Sequence, residues 1–104
     1  MIDDRLLELE KELDLIIKQI IFDLRPKKRI DEELFNKLYE KLGCYTALIK
    51  GSTVISRTVS GKLFYLFSTM IVEAKYMKFD NKIMGKIFRL RIYMLNVYDE
   101  NILG

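Results

Sequence analysis

The stretch DRLLELEKELDLIIKQIIFDL, residues 4–24, decides the fold. Leu6, Leu9, Leu13, Ile16, Ile20 and Leu24 recur at steps of three and four, with Ile17 beside them. That spacing lines one face of an α-helix. The acidic first turns suit the positive end of the helix dipole. The helix is predicted to stop before Arg25-Pro26, because proline disfavours the helical conformation in the residue that precedes it.

The same period runs on through the chain. A second helix is predicted over 31–50, with Asp31 as its cap, Ile30 and Phe35 as a hydrophobic staple, and Leu34, Leu38, Leu42, Tyr45 and Ile49 as its stripe. Gly43 falls inside it and marks either a close helix crossing or a kink; Gly51 is a natural stop. The β-branched run over 52–60 allows a short extended piece. Ile55, Val59, Leu63, Leu66, Met70, Ala74 and Met77 nevertheless continue one helical stripe, so a third helix is predicted over 56–79. A fourth, over 81–98, carries Ile83, Ile87, Leu90, Met94 and Val97, and the tail from Asp99 is expected to fray.

Four helices of similar length, each roughly 30 Å long, joined by short links, predict a single all-α domain over 1–104. The expected architecture is an antiparallel four-helix bundle, up-down-up-down, closed within one chain or completed by dimerisation. Its rival is a three-helix unit whose first helix swaps into a partner chain.

Composition agrees. The chain has 104 residues, half of them hydrophobic, and one proline, enough for one core without disulfides or metals. Cys44 is the only cysteine, which excludes an internal disulfide and fits a reducing compartment. The start is acidic rather than positive, and no apolar run approaches the ~20 residues of a membrane span, so a cytoplasmic location is expected. Charge is uneven within a net +3: residues 1–24 hold three cations against seven carboxylates, whereas residues 58–98 hold seven cations against two. The two regions would attract each other inside the bundle or mark two binding faces.

Catalytic patterns fail on residue type. The chain has no histidine, which removes His-based triads, Cys-His pairs and Glu-x-x-His di-iron sites. Cys44 is expected to be a buried, inert thiol. Ser56 to Leu63 approaches the phosphate-loop pattern around Gly61-Lys62, but Ser56 stands where its first glycine belongs and Leu63 where its hydroxyl belongs. No zinc set or calcium loop can be assembled. No enzyme activity, metal or cofactor is therefore expected.

Two other signals remain. Arg25, Lys27, Lys28 and Arg29 crowd one inter-helix link, and Lys82, Lys86, Arg89 and Tyr93 share a face of the last helix. A positive stripe with an aromatic ring is a surface that contacts phosphates and stacks a base. A solvated helix face is the plainer reading. The second signal is surplus apolar surface. Leu15 and Phe22 lie nearly opposite the main stripe of the first helix, while Tyr65, Val72, Tyr76 and Phe79 on the third and Phe88, Ile92 and Leu95 on the fourth form second bands. Such bands mark interfaces, unless the third helix is central and buried all round. Arg91, on an apolar arc, either pairs with Glu73 or snorkels along an edge.

These residues predict a non-enzymatic helical-bundle regulator or adaptor that acts by protein–protein contact and self-associates. Leu15, Phe22, Tyr65, Val72, Tyr76, Phe88 and Ile92 are its candidate interface. A nucleic-acid-binding module using the basic face is the alternative.

Overall fold

The four periodic segments form α1 (Asp4–Leu24), α2 (Glu32–Leu48), α3 (Arg57–Tyr76) and α4 (Asn81–Tyr98) in a computed structural model that describes residues 4–98. The tail from Asp99 lies outside the described residues. Each later helix starts on a side-chain cap. Asp31 Oδ1 accepts from the Leu34 amide at 3.2 Å, Ser56 Oγ from Val59 at 3.3 Å, and Asp80 Oδ1 from Ile83 at 3.3 Å. Phe35 is buried, and Ile30 packs against the core from the position before the Asp31 cap.

The ends of α2 and α3 come earlier than the periodicity suggests. Gly51, at φ 83°, turns the chain after α2. The end of α3 is a Schellman motif, in which the Phe79 amide donates to the Ala74 carbonyl at 2.7 Å and the Lys78 amide to Lys75 at 3.2 Å. Lys78 and Phe79 both take left-handed backbone, at φ 55° each, so the helix stops at Tyr76 although the apolar pattern continues.

Consecutive helices run antiparallel, as an up-down-up-down bundle requires. Their packing order around the bundle is α1, α2, α4, α3: α1 touches α2 and α3, and α4 touches α2 and α3. The 49–56 link therefore crosses the diagonal and makes two parallel pairs. Along α1 and α3, Asp14 meets Lys62 and, further on, Arg25 meets Tyr65. Along α2 and α4, Glu32 meets Lys86 and then Tyr39 meets Tyr93. The first helix packs within its own chain, so the swapped three-helix arrangement is not adopted.

The core is filled by Leu13, Ile17, Ile20 and Leu24 from α1 and Phe35, Leu38, Tyr39, Leu42 and Tyr45 from α2. Leu63, Leu66 and Met70 come from α3, and Ile83, Ile87 and Leu90 from α4. The α4 stripe is buried at all five expected positions.

Two expectations about α2 are corrected. Gly43 marks no crossing, because a Cβ there would meet nothing within 4 Å. Gly43→Ala is accordingly expected to raise stability by about 1 kcal/mol, the helix-propensity difference, as an increase in the urea midpoint at unchanged slope. Cys44 is exposed rather than buried, because Tyr45, the next residue along α2, takes the core-facing position.

Candidate protein-interaction surface

α3 is a corner of the bundle, not its centre. Its outward half carries Phe64, Tyr65, Ile71, Val72 and Tyr76, all exposed, and Phe64 and Tyr76 keep 68% and 70% of their surface. On α4 the adjoining side carries Phe88 and Ile92, also exposed. Between the two helices runs a groove of about 250 Å³ lined by Phe67, Ile71, Phe79, Met84, Phe88 and Arg91, among others. Its apolar walls come from both helices because 67 and 71 on α3 and 84, 88 and 91 on α4 follow the three-to-four spacing of a single face. The left-handed backbone at 78–79 sets Phe79 at the groove's edge, where its ring stays exposed.

Each interface residue expected from the sequence is exposed, but the set does not form one patch. Phe88 and Ile92 belong to the α3–α4 face. Tyr65, Val72 and Tyr76 lie on the flank of α3 toward α1. Leu15 and Phe22 lie on the outer side of α1, where Leu15 borders Leu34, Lys37 and Lys41 of α2. Phe64 and Ile71 were not singled out from the sequence, though their seven-residue spacing with Phe67 between them was the available signal. Leu7 on α1 is likewise exposed.

The basic link between α1 and α2 folds onto this surface. Arg25 donates to the Tyr65 hydroxyl at 3.2 Å, and Lys27 sits 4.8 Å over the Phe22 ring. Lys28, held at φ 53°, reaches Glu73 at 2.5 Å and lies 5.2 Å from the Tyr76 ring centre. Arg29 approaches Asp31 at 3.9 Å. Glu73 is buried, so Lys28 is the partner of a desolvated carboxylate. Of the two arrangements open to Arg91, the pair with Glu73 does not form and the course along an apolar edge does. Glu73 is turned toward the α1–α2 link, while Arg91 lies along the α3–α4 groove, exposed, with its stem among apolar side chains.

The basic face of α4 is also engaged. Lys86 pairs with Glu32, and Lys82 approaches the same carboxylate at 3.7 Å. Tyr93 is stacked on Tyr39 at 5.1 Å between ring centres, and the Arg89 guanidinium covers Tyr39 at 4.6 Å. Tyr39 is buried and donates to the Lys86 carbonyl at 3.0 Å; burial pushes its phenol pKa up. These four residues therefore form the α2–α4 seam.

Ion pairs across the bundle make its stability pH-dependent. The Lys62 ammonium, aided by Lys18, holds Asp14 below the ordinary carboxylate value, and Lys86 does the same to Glu32. A carboxylate lowered on folding stabilises the fold above its unfolded pKa, and that contribution is lost as pH falls through the folded value. Stability is thus expected to decline below the usual carboxylate range of about 4. In acid titrations followed by circular dichroism, Asp14→Asn with Glu32→Gln should make that decline shallower. An unchanged acid slope would show that other groups carry it.

Ser60-Gly61-Lys62 is no loop, since it forms part of the first turns of α3, and Lys62 is turned to Asp14. Among the described residues, the depressions at the 49–55 link, between α1 and α3, between α1 and α2 and between α3 and α4 each hold at most one carboxylate. Among the described residues, no three Cys, Asp or Glu side chains converge as metal ligands, and no helix is long and apolar enough to cross a membrane. Comparison of the chain with protein-family models, curated proteins and solved structures returned no match.

Proposed function

We propose that this chain is a non-enzymatic, cytoplasmic regulator or adaptor that works by protein–protein contact and self-associates through exposed apolar helix faces. The observation that carries this reading is the α3–α4 face, where exposed Ile71 and Phe88 line one groove, with exposed Phe64 two turns away along α3 and exposed Ile92 one turn away along α4. Single exposed apolar residues are ordinary, whereas a contiguous aromatic and aliphatic face is a feature of interaction sites. The lack of histidine supports the non-enzymatic part.

Sedimentation of the full chain over a range of concentrations tests the reading. The mass is expected to rise with concentration, and Phe88→Glu, an exposed position, should lower it while the helical spectrum is retained. A chain that stays monomeric and binds duplex DNA or RNA with an affinity falling steeply in salt would instead favour the nucleic-acid alternative. The engagement of Lys86, Arg89 and Tyr93 with α2 weighs against that alternative.

A further inference from the structure

We infer that the α3–α4 groove receives an acidic amphipathic helix of a partner protein. This rests on the protein-contact reading above and deepens it by giving the partner's chemistry. The groove offers apolar contact with cations beside it. Phe67 and Met84 line it half-buried, and Ile71 and Phe88, one from each helix, line it exposed. Arg91 lies along its α4 side, exposed, and exposed Lys75 follows Ile71 by one turn on the same flank of α3. The carboxylates nearest to these two cations in sequence are committed elsewhere. Glu73 is buried against Lys28 on the other flank of α3, and Asp80 caps α4, accepting from the Lys82 and Ile83 amides at 2.6 and 3.3 Å. No other carboxylate occurs between residues 57 and 98. Among the described residues, neither Lys75 nor Arg91 has an ion-pair partner. An occupant of the groove therefore gains by bringing carboxylates to its edges, and Arg91 presents the planar fork that grips a carboxylate through two hydrogen bonds. The recess itself selects a helix. Apolar side chains at three-to-four spacing fit between two packed helices as a ridge in a groove. A planar bilayer would instead rest on the most exposed rings, such as Phe64, and leave the recess unfilled.

The probe is a synthetic, fluorescein-labelled helical peptide of about 18 residues, roughly 27 Å long, with leucines at three-to-four spacing on one face and glutamates beside them. Its control carries lysine at every glutamate position. In anisotropy titrations with the full chain, the glutamate peptide is expected to bind with an affinity that falls as salt is raised, and the lysine peptide to bind at least about tenfold more weakly. Ile71→Glu with Phe88→Glu, both at exposed positions, should abolish binding, and circular dichroism melts establish that this variant is folded. Lys75→Gln with Arg91→Gln should weaken the glutamate peptide about tenfold and remove most of its preference over the lysine peptide. Lys37→Gln with Lys50→Gln, which removes two exposed cations outside the groove, should leave both affinities unchanged. Equal binding of the two peptides, or a preference undiminished by Lys75→Gln with Arg91→Gln, overturns the inference. A chain that binds neither peptide yet associates in sedimentation loses this inference and keeps self-association; one that does neither loses both. Partition onto vesicles of phosphatidylcholine and phosphatidylglycerol, abolished by Ile71→Glu with Phe88→Glu and unaccompanied by peptide binding, overturns it in favour of a lipid surface.

Discussion

Tyr39→Ala should cost about 3 to 5 kcal/mol, the range for removing a buried aromatic side chain. That is a large share of the roughly 5 to 15 kcal/mol available to a domain of ordinary stability. The size of the effect follows from what Tyr39 joins. Its ring stacks on Tyr93, lies 6.2 Å from Phe35, and is covered by the Arg89 guanidinium. Removing it opens the seam between the parallel helices α2 and α4 and strips Arg89 and Tyr93 of their platform. Tyr39→Phe keeps the platform and loses only the donation to the Lys86 carbonyl, so it should cost about 1 kcal/mol or less. Urea unfolding of the two variants measures the difference. Equal losses would mean that the hydroxyl, not the ring, holds the seam.

Lys28→Met is expected to be the second most damaging of these changes, at about 2 to 3 kcal/mol. Breaking a fully buried ion pair from one side costs about 3 to 5 kcal/mol, because the remaining charge stays desolvated. Lys28 is itself half-exposed, so water admitted beside it recovers part of that loss. The sign of a second change identifies the cause. Adding Glu73→Leu to Lys28→Met removes the stranded carboxylate and should restore most of the stability. A double variant no better than the single one would place the damage in the backbone of the 25–31 link instead.

The helices were legible in the sequence because each buries one stripe. Local periodicity reports such a stripe directly, and every stripe position of α4 is buried. The ends of α3 were less legible, since the Schellman motif uses lysine where glycine is usual, and no residue type announced the left-handed turn at 78–79. The packing order was not legible at all. Short links fix the antiparallel sense of neighbours in sequence, but an eight-residue link such as 49–56 reaches an adjacent helix or a diagonal one equally well.

The candidate surface shows the same division. Exposure of Leu15, Phe22, Tyr76 and Phe88 followed from their angle to the stripe. Which of them share a face depends on the order of helices around the bundle, and no single helix encodes that order. Arg91 and Glu73 illustrate the point. They belong to adjacent helices, yet each turns to an opposite side of α3. Likewise, a basic link and an aromatic band appeared as separate signals until Arg25 and Lys28 were found against Tyr65 and Tyr76.

The diagonal course of the 49–56 link has a consequence for how the chain reaches its fold. The antiparallel contacts lie within residues 4–48 or within residues 57–98, so each half can form its own hairpin from contacts close in sequence, which are the quick ones to make. What joins the halves is a pair of parallel seams, along which Asp14 and Glu32 of the first half meet Lys62 and Lys86 of the second. The late step is then the docking of the two hairpins, and screening these cross-seam pairs should slow folding more than it speeds unfolding. A chain severed within 49–56 should, for the same reason, reassemble from its two pieces.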